Sequence, residues 1–289
     1  MKPGILLVAY GSVNFKGTST IRHMQQLAEQ RFNLPIRWAF TSDTIRMRLA
    51  HKRTKSDSVF KALARMSFEK FTHVAVQSLH VIPGNEYDAV QADCSLAIRQ
   101  YGLAVQMGPP LLTGGSSSES STMQDVARLL IQHIPSARSS SEPVIYMAHG
   151  TTNACGVLYD KIAVSVNALD SLVFTLPMIS SPPGFGMPPH SSANCGGTDR
   201  LSKTLAMLGS QFKTIWLLPM LSLVGKHTIE DIAGDSSTSW KKQIEAHGFL
   251  CQAEIKGLAD DPNFVSLWFD RVDASLKKLY LQTKSPCSI

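Results

Sequence analysis

Two apolar runs constrain this chain's fold more than any other feature. Ile5–Ala9 carries no polar side chain and ends in Tyr10-Gly11-Ser12; Val144–Ala148 matches it and ends in His149-Gly150. Runs without polar alternation are covered on both faces, as in a parallel sheet flanked by helices. Between them, strand and helix patterns alternate. Strands are predicted at Ile36–Phe40, His73–Leu79 and Leu103–Met107, with helical patterns at Thr18–Arg31, Ile45–Leu49, Val59–Met66, Glu86–Tyr101 and Gln124–His133. The alternation resumes with helices at Gly156–Leu169, Leu201–Leu208, Thr238–His247 and Asn263–Leu281, and strands at Leu172–Leu176, Thr214–Pro219 and Gln252–Ile255. This is the pattern of βαβ units, and the paired runs point to an internal duplication. The expected fold class is α/β, with two similar flavodoxin-like parallel-sheet domains and a ligand cleft at their strand ends. The Pro- and Ser-rich stretch Pro135–Pro143 reads as the linker, giving domains 1–138 and 143–289.

At 289 residues, two domains are the natural count. No run of about 18 apolar residues exists, so no membrane span is expected, and the N-terminal apolar run is too short for a leader. The net charge of +6 comes without a basic-aromatic motif, which argues against nucleic acid and suits a ligand rich in carboxylates. Five cysteines without CxxC spacing argue against disulfides and thiolate zinc, and favour a reducing cytoplasm.

Three histidines fall at predicted strand ends: His80, His149 and His227. Imidazole binds borderline metals and exchanges protons near neutral pH, so these are the first candidates for chemistry. The segment Met178–Gly197 is too long and too rich in Pro, Gly and Ser for an ordinary connection; it carries His190 and Cys195. The run Gly114–Ser118 lacks the GK[ST] ending of a phosphate loop.

Several blocks then carry a resemblance. Ala39-Phe40-Thr41-Ser42, Gln77-Ser78-Leu79-His80-Val81-Ile82-Pro83-Gly84-Asn85-Glu86-Tyr87, the His149-Gly150 strand end, and Leu218-Pro219-Met220 through Lys226-His227 to Asp231, Asp235 and Ser239-Trp240-Lys241 resemble the class II tetrapyrrole chelatases, in particular the anaerobic sirohydrochlorin cobaltochelatases. The resemblance implies two similar domains related to ferrochelatase and insertion of a divalent metal into sirohydrochlorin or a related tetrapyrrole for cobalamin-type synthesis. It implies Co(II), with Ni(II) or Fe(II) as alternatives, and no ATP or further cofactor. His149 and His227 correspond to the family's metal-binding, catalytic pair. Tyr10, Ser12, Ser42, His80, Glu86 and Met220 are the expected tetrapyrrole contacts, and His190 and Cys195 are additional candidate metal ligands. The partners implied are the tetrapyrrole and the metal ion, with homo-oligomerisation left open. Two departures stand out. The family's glutamate after a Thr-apolar pair falls on Pro177, and Lys226 precedes His227 where an acid is common. Proline binds neither metal nor proton. This keeps two alternatives in play: a chelatase with altered metal or macrocycle, and a non-catalytic tetrapyrrole, haem or metal binder. Glu230, Asp231 and Asp235 are candidates for orienting His227.

Overall fold

The computed structural model describes residues 1–114, 117–179 and 197–282. The chain divides into two compact units, Met1–Leu111 with the segment from Ala259 onward, and Leu112–Leu258. Unit 1 contains β1 (Pro3–Ala9), α1 (Phe15–Phe32), β2 (Ile36–Phe40), α2 (Asp43–His51), α3 (Val59–Phe68), β3 (His73–Ser78), α4 (Asn85–Tyr101) and β4 (Ala104–Gly108). Unit 2 contains α5 (Ser117–His133), β5 (Val144–Gly150), α6 (Val157–Leu169), β6 (Val173–Ile179), α7 (Gly197–Leu208), β7 (Thr214–Pro219), α8 (Lys226–Ala233), α9 (Trp240–Ala246) and β8 (Leu250–Ala253). The last helix, α10 (Pro262–Gln282), belongs to unit 1.

Each unit is built on a four-stranded, fully parallel sheet, ordered β2-β1-β3-β4 and β6-β5-β7-β8. The apolar runs are the inner strands β1 and β5, and Ile5 to Ala9 and Val144 to Ala148 are all buried. One core in unit 1 joins Leu6, Val8, Val74 and Val76 to Leu63 and Met66 of α3 and Val90 and Ala97 of α4. Its counterpart in unit 2 joins Ile145, Met147, Ile215 and Leu217 to Leu201 and Leu205 of α7 and Trp240 and Ile244 of α9.

Two expectations about organisation are revised. Sequence order places the C-terminal helix in the second domain, whereas α10 packs on β3 and β4 of unit 1. It buries Phe264 and Trp268, and Arg271 donates to the carbonyls of Pro110 and Leu111 (3.0 Å for the latter). Burial lowers the Arg271 pKa to about 10. The division therefore falls at Leu111/Leu112 and Leu258/Ala259, not at residues 138–143.

The Pro135–Pro143 stretch is a pinned turn inside unit 2. Arg138 donates to Asp170 (2.6 Å) and to the Glu142 carbonyl (2.8 Å), and the Trp216 indole donates to the Glu142 carboxylate (2.8 Å). Burial pulls the Asp170 carboxyl upward, but hydrogen bonds from Arg138 and from the Leu172 N–H, with Arg138's charge, outweigh it and leave the pKa below its ordinary value. A carboxyl depressed in the folded state adds stability above its unfolded pKa, and that stability is lost as pH falls through the folded pKa. Asp170→Asn should therefore cost about 1–2 kcal/mol at pH 7 and progressively less below about pH 4. Urea midpoints of both proteins at pH 7 and pH 3 check this: the gap should close in acid, and a constant gap would contradict it.

Smaller differences have local causes. β8 lies two residues before the predicted strand, and β8 is an edge strand with an exposed Leu250. Helix α8 was not predicted as an element. No described helix is long and apolar enough to cross a membrane. Cys94, Cys155 and Cys251 form no disulfide among the described residues, and the strong upward pKa shifts of Cys94 and Cys251, both to about 12, arise from burial.

Candidate functional site

The strand pairing shows how closely the units repeat. Val8 pairs with Ala39 and Ser78, and Met147 pairs with Leu176 and Pro219. The next backbone contact also repeats: Leu79 N–H donates to the Val8 carbonyl and Met220 N–H to the Met147 carbonyl, both at 2.8 Å. Past these points Gly84 and Gly225 stand at the same interval, and both are extended helix N-caps, with φ −96 and −94. In this register His149 occupies the place of Tyr10, Gly150 that of Gly11, Pro177 that of Phe40 and His227 that of Glu86.

The loop after the first strand of each unit is built alike. Ala9-Tyr10-Gly11-Ser12-Val13-Asn14 parallels Ala148-His149-Gly150-Thr151-Thr152-Asn153. Asn14 N–H donates to the Ser12 hydroxyl (3.3 Å) and Asn153 N–H to that of Thr151 (3.2 Å). Both glycines hold positive φ, +101 at Gly11 and +78 at Gly150. A side chain at Gly150 would place its Cβ 2.0 Å from the Ile179 carbonyl oxygen. The backbone thus turns sharply where the strand ends, leaving His149 exposed beside buried neighbours.

That turn also fixes the chemistry of His149. Its Nδ1 lies 3.1 Å from the Gly150 carbonyl. A carbonyl can only accept, so Nδ1 is the donor, and in the neutral ring Nε2 is the nitrogen with the lone pair. Below the loop, buried Tyr159 of α6 accepts a hydrogen bond from Gly150 N–H, and burial holds its phenol strongly toward the neutral form. Tyr159 was missed in the sequence because nothing in a helical pattern marks a residue that supports a strand-end loop. The second histidine of the expected pair, His227, lies in the first turn of α8, which follows β7, the neighbour of β5. Its side chain lies outside the described residues, as do His190 and Cys195. Lys226 forms an ion pair with Glu230 (3.5 Å) one turn on, which offsets the positive charge beside His227. Asp231 and Asp235 are exposed.

The remaining candidates separate. His80 belongs to unit 1, whereas His149 and His227 belong to unit 2. Its ring is held between the hydroxyls of Ser78 (Nδ1, 2.7 Å) and Thr41 (Nε2, 3.4 Å), and burial lowers its pKa to about 4. It is a neutral imidazole through the physiological range, which makes it a hydrogen-bonding group and no proton switch. Thr41, absent from the sequence candidates although it sits in the Ala39–Ser42 block, is its partner across the strand ends. Tyr10 is 52% exposed and Glu86 is half-buried in the first turn of α4. Ser12 and Ser42 are both buried and bonded locally, Ser12 with Asn14 and Ser42 as the cap that accepts from Ile45 N–H. Met220 is fully buried and is core. Pro177 is buried in β6, and the edge position of that strand accommodates a residue without an N–H. Among the described residues no three His, Cys, Asp or Glu side chains cluster as a metal site.

Comparison with known proteins agrees with this architecture. The family model of the cobalt chelatases (CbiK) matches residues 3–188 and 191–277. A sirohydrochlorin cobaltochelatase, CbiKC, from Nitratidesulfovibrio vulgaris is 41% identical over 282 residues, covering 96% of this chain and 92% of the relative. Among solved structures, SirB from Bacillus subtilis with Fe3+ superposes with a TM-score of 0.63 at 13% identity, covering 95% of this chain and 96% of that one. The sirohydrochlorin chelatase SirB from Bacillus subtilis subspecies spizizenii in complex with cobalt gives 0.60 at 12% identity, covering 96% of each chain. At such identities the two structures establish a shared fold. The family match along nearly the whole sequence establishes more: this chain belongs to the cobalt chelatase (CbiK) family.

Proposed function

We propose that the protein inserts Co(II) into sirohydrochlorin, with His149 and His227 receiving the metal. The observation that carries this reading is the His149 loop, whose tautomer leaves Nε2 available at an exposed strand end, in a chain 41% identical to a sirohydrochlorin cobaltochelatase. Insertion exchanges one divalent ion for two pyrrole protons. A neutral imidazole serves both halves of that exchange: Nε2 donates its lone pair to the ion and accepts a proton once the ion has left. The Gly150 carbonyl holds the imidazole in place and stabilises the imidazolium that forms. With Pro177 in place of the family's glutamate, proton acceptance falls to the imidazoles and the water around them. The metal is the substrate, the reaction needs no ATP, and the cysteine content without CxxC spacing suits the reducing cytoplasm where we place it.

The test is an insertion assay with purified protein, metal-free sirohydrochlorin and Co(II), followed through the Soret and visible bands. Acceleration over the uncatalysed rate supports the proposal, and the uncatalysed rate alone would refute it. Pro177 favours one second reading, a chelatase of altered metal preference. Parallel assays with Ni(II) and Fe(II) decide it: a higher kcat/KM with either ion than with Co(II) would replace cobalt in the proposal.

A further inference from the structure

One surface of unit 1 has no role in the reading above. Residues 43–55 carry Arg46, Arg48, Lys52, Arg53 and Lys55 against one acid, Asp43, a net +4 of the chain's +6. Arg46 is used locally: it pairs with Asp43 and donates to the carbonyls of Phe40 and Thr41, the latter at 2.8 Å. Arg48, Lys52, Arg53 and Lys55 are exposed and have no carboxylate partner among the described residues. The negative end of the α2 dipole favours cations at its last turn and cap, Arg48, His51 and Lys52, and Lys55 lies beyond it.

Geometry sets this charge at the strand-end face. Ser42, which caps α2, donates its N–H to the Tyr10 carbonyl (3.3 Å), and at the other end the Lys52 ammonium donates to the Val13 carbonyl (3.3 Å). Both ends of α2 are therefore tied to the Tyr10–Val13 loop. The loop and the start of α1 also expose apolar side chains: Tyr10 is 52% exposed and Phe15 83%. Cations beside exposed apolar side chains suit a ligand that is itself a flat apolar body with an anionic rim.

The turn after α2 holds one of these cations in a left-handed backbone. Helix α2 ends in a Schellman turn, with Arg53 N–H on the Ala50 carbonyl (2.9 Å) and Thr54 N–H on that of Leu49 (2.9 Å). The residue at the left-handed position of such a turn is usually glycine. Here it is Arg53, at φ +55. The same turn closes α3, with Lys70 at φ +67.

We propose that α2 and the turn after it form the carboxylate-reading surface for the tetrapyrrole, with Arg48, Lys52 and Arg53 pairing with the acidic side chains of the ring and Tyr10 and Phe15 taking its apolar edge. This deepens the sirohydrochlorin reading and rests on it. The test measures binding and turnover separately. Intrinsic fluorescence titrations with sirohydrochlorin, and with its fully methyl-esterified form, are run on the wild type and on an Arg48→Gln/Lys52→Gln/Arg53→Gln variant. The variant should bind sirohydrochlorin roughly 10- to 100-fold more weakly, with the loss shrinking at high salt. The ester should bind both proteins alike, and in turnover the loss should fall on KM. Lys277→Gln/Lys278→Gln, which removes exposed charge from α10, should leave binding unchanged.

Arg53→Gly separates function from folding: it should raise the unfolding midpoint while weakening sirohydrochlorin binding several-fold. Equal affinity of the triple variant and the wild type would overturn the proposal, as would equal loss from the α10 pair or tighter binding to phosphatidylglycerol vesicles or DNA than to sirohydrochlorin. Failure of the insertion assay alone, with this binding pattern intact, would refute the catalytic reading and leave the surface assigned.

Discussion

Replacing His149 by alanine should abolish most of the acceleration while leaving the fold intact. The imidazole is exposed and its one intramolecular bond among the described residues, to the Gly150 carbonyl, joins adjacent residues, so its removal opens no cavity. What is lost is a metal ligand and a proton acceptor on the same ring, for which a fall in kcat/KM of roughly 10²- to 10⁴-fold is expected. His227→Ala should fall in the same range, and the double variant should lose little more than either single one, because the two act as a unit. Initial rates across a Co(II) series, with the unfolding midpoint as control, check this. Two single variants that both turn over at the wild-type rate would remove the pair from the mechanism. A large midpoint drop in His149→Ala would mean that the imidazole serves the loop instead of the metal.

The strand-end position of His149 was legible in the sequence because two physical signals coincide there. A run without polar alternation has to be an inner strand, and functional side chains in open α/β sheets gather where such strands end. His80 satisfied the same rule, yet the structure makes it a neutral group between two hydroxyls. Strand-end position locates a residue, and only its surroundings set its protonation. The equivalence of Tyr10 with His149 and of Glu86 with His227 needed the pairing register, although the shared Ala-x-Gly-(Ser/Thr)-x-Asn string was a readable hint of the first. The return of α10 to unit 1 leaves no mark along the chain, since the helix would show the same apolar face wherever it packed. The Pro135–Pro143 turn misled for a related reason: its composition is that of a linker, and its rigidity comes from Asp170 and Trp216, far away in sequence. Arg53 shows the other limit, because nothing in its neighbours signals a left-handed backbone.

The largest effect on stability is expected from Gly150→Ala. Two costs add at this position. The backbone holds φ +78, where an L-residue pays about 1–2 kcal/mol, and the new Cβ would stand 2.0 Å from the Ile179 carbonyl oxygen and 2.7 Å from its nitrogen. Those are backbone atoms of the paired strand, so no side chain can rotate away, and β6 itself has to move from β5. Moving a packed strand costs roughly 1–3 kcal/mol more, for a total of about 3 kcal/mol or above. Gly102→Ala is the matched control: φ is +65 there and nothing lies within 4 Å of the added carbon, so only the conformational cost of about 1–2 kcal/mol applies. Urea unfolding of the two variants should show Gly150→Ala losing at least twice as much as Gly102→Ala. Equal losses would mean that β6 yields easily at Ile179. In that case the turn that presents His149 is compliant, and the preorganisation of its Nε2 lone pair would have to come from elsewhere.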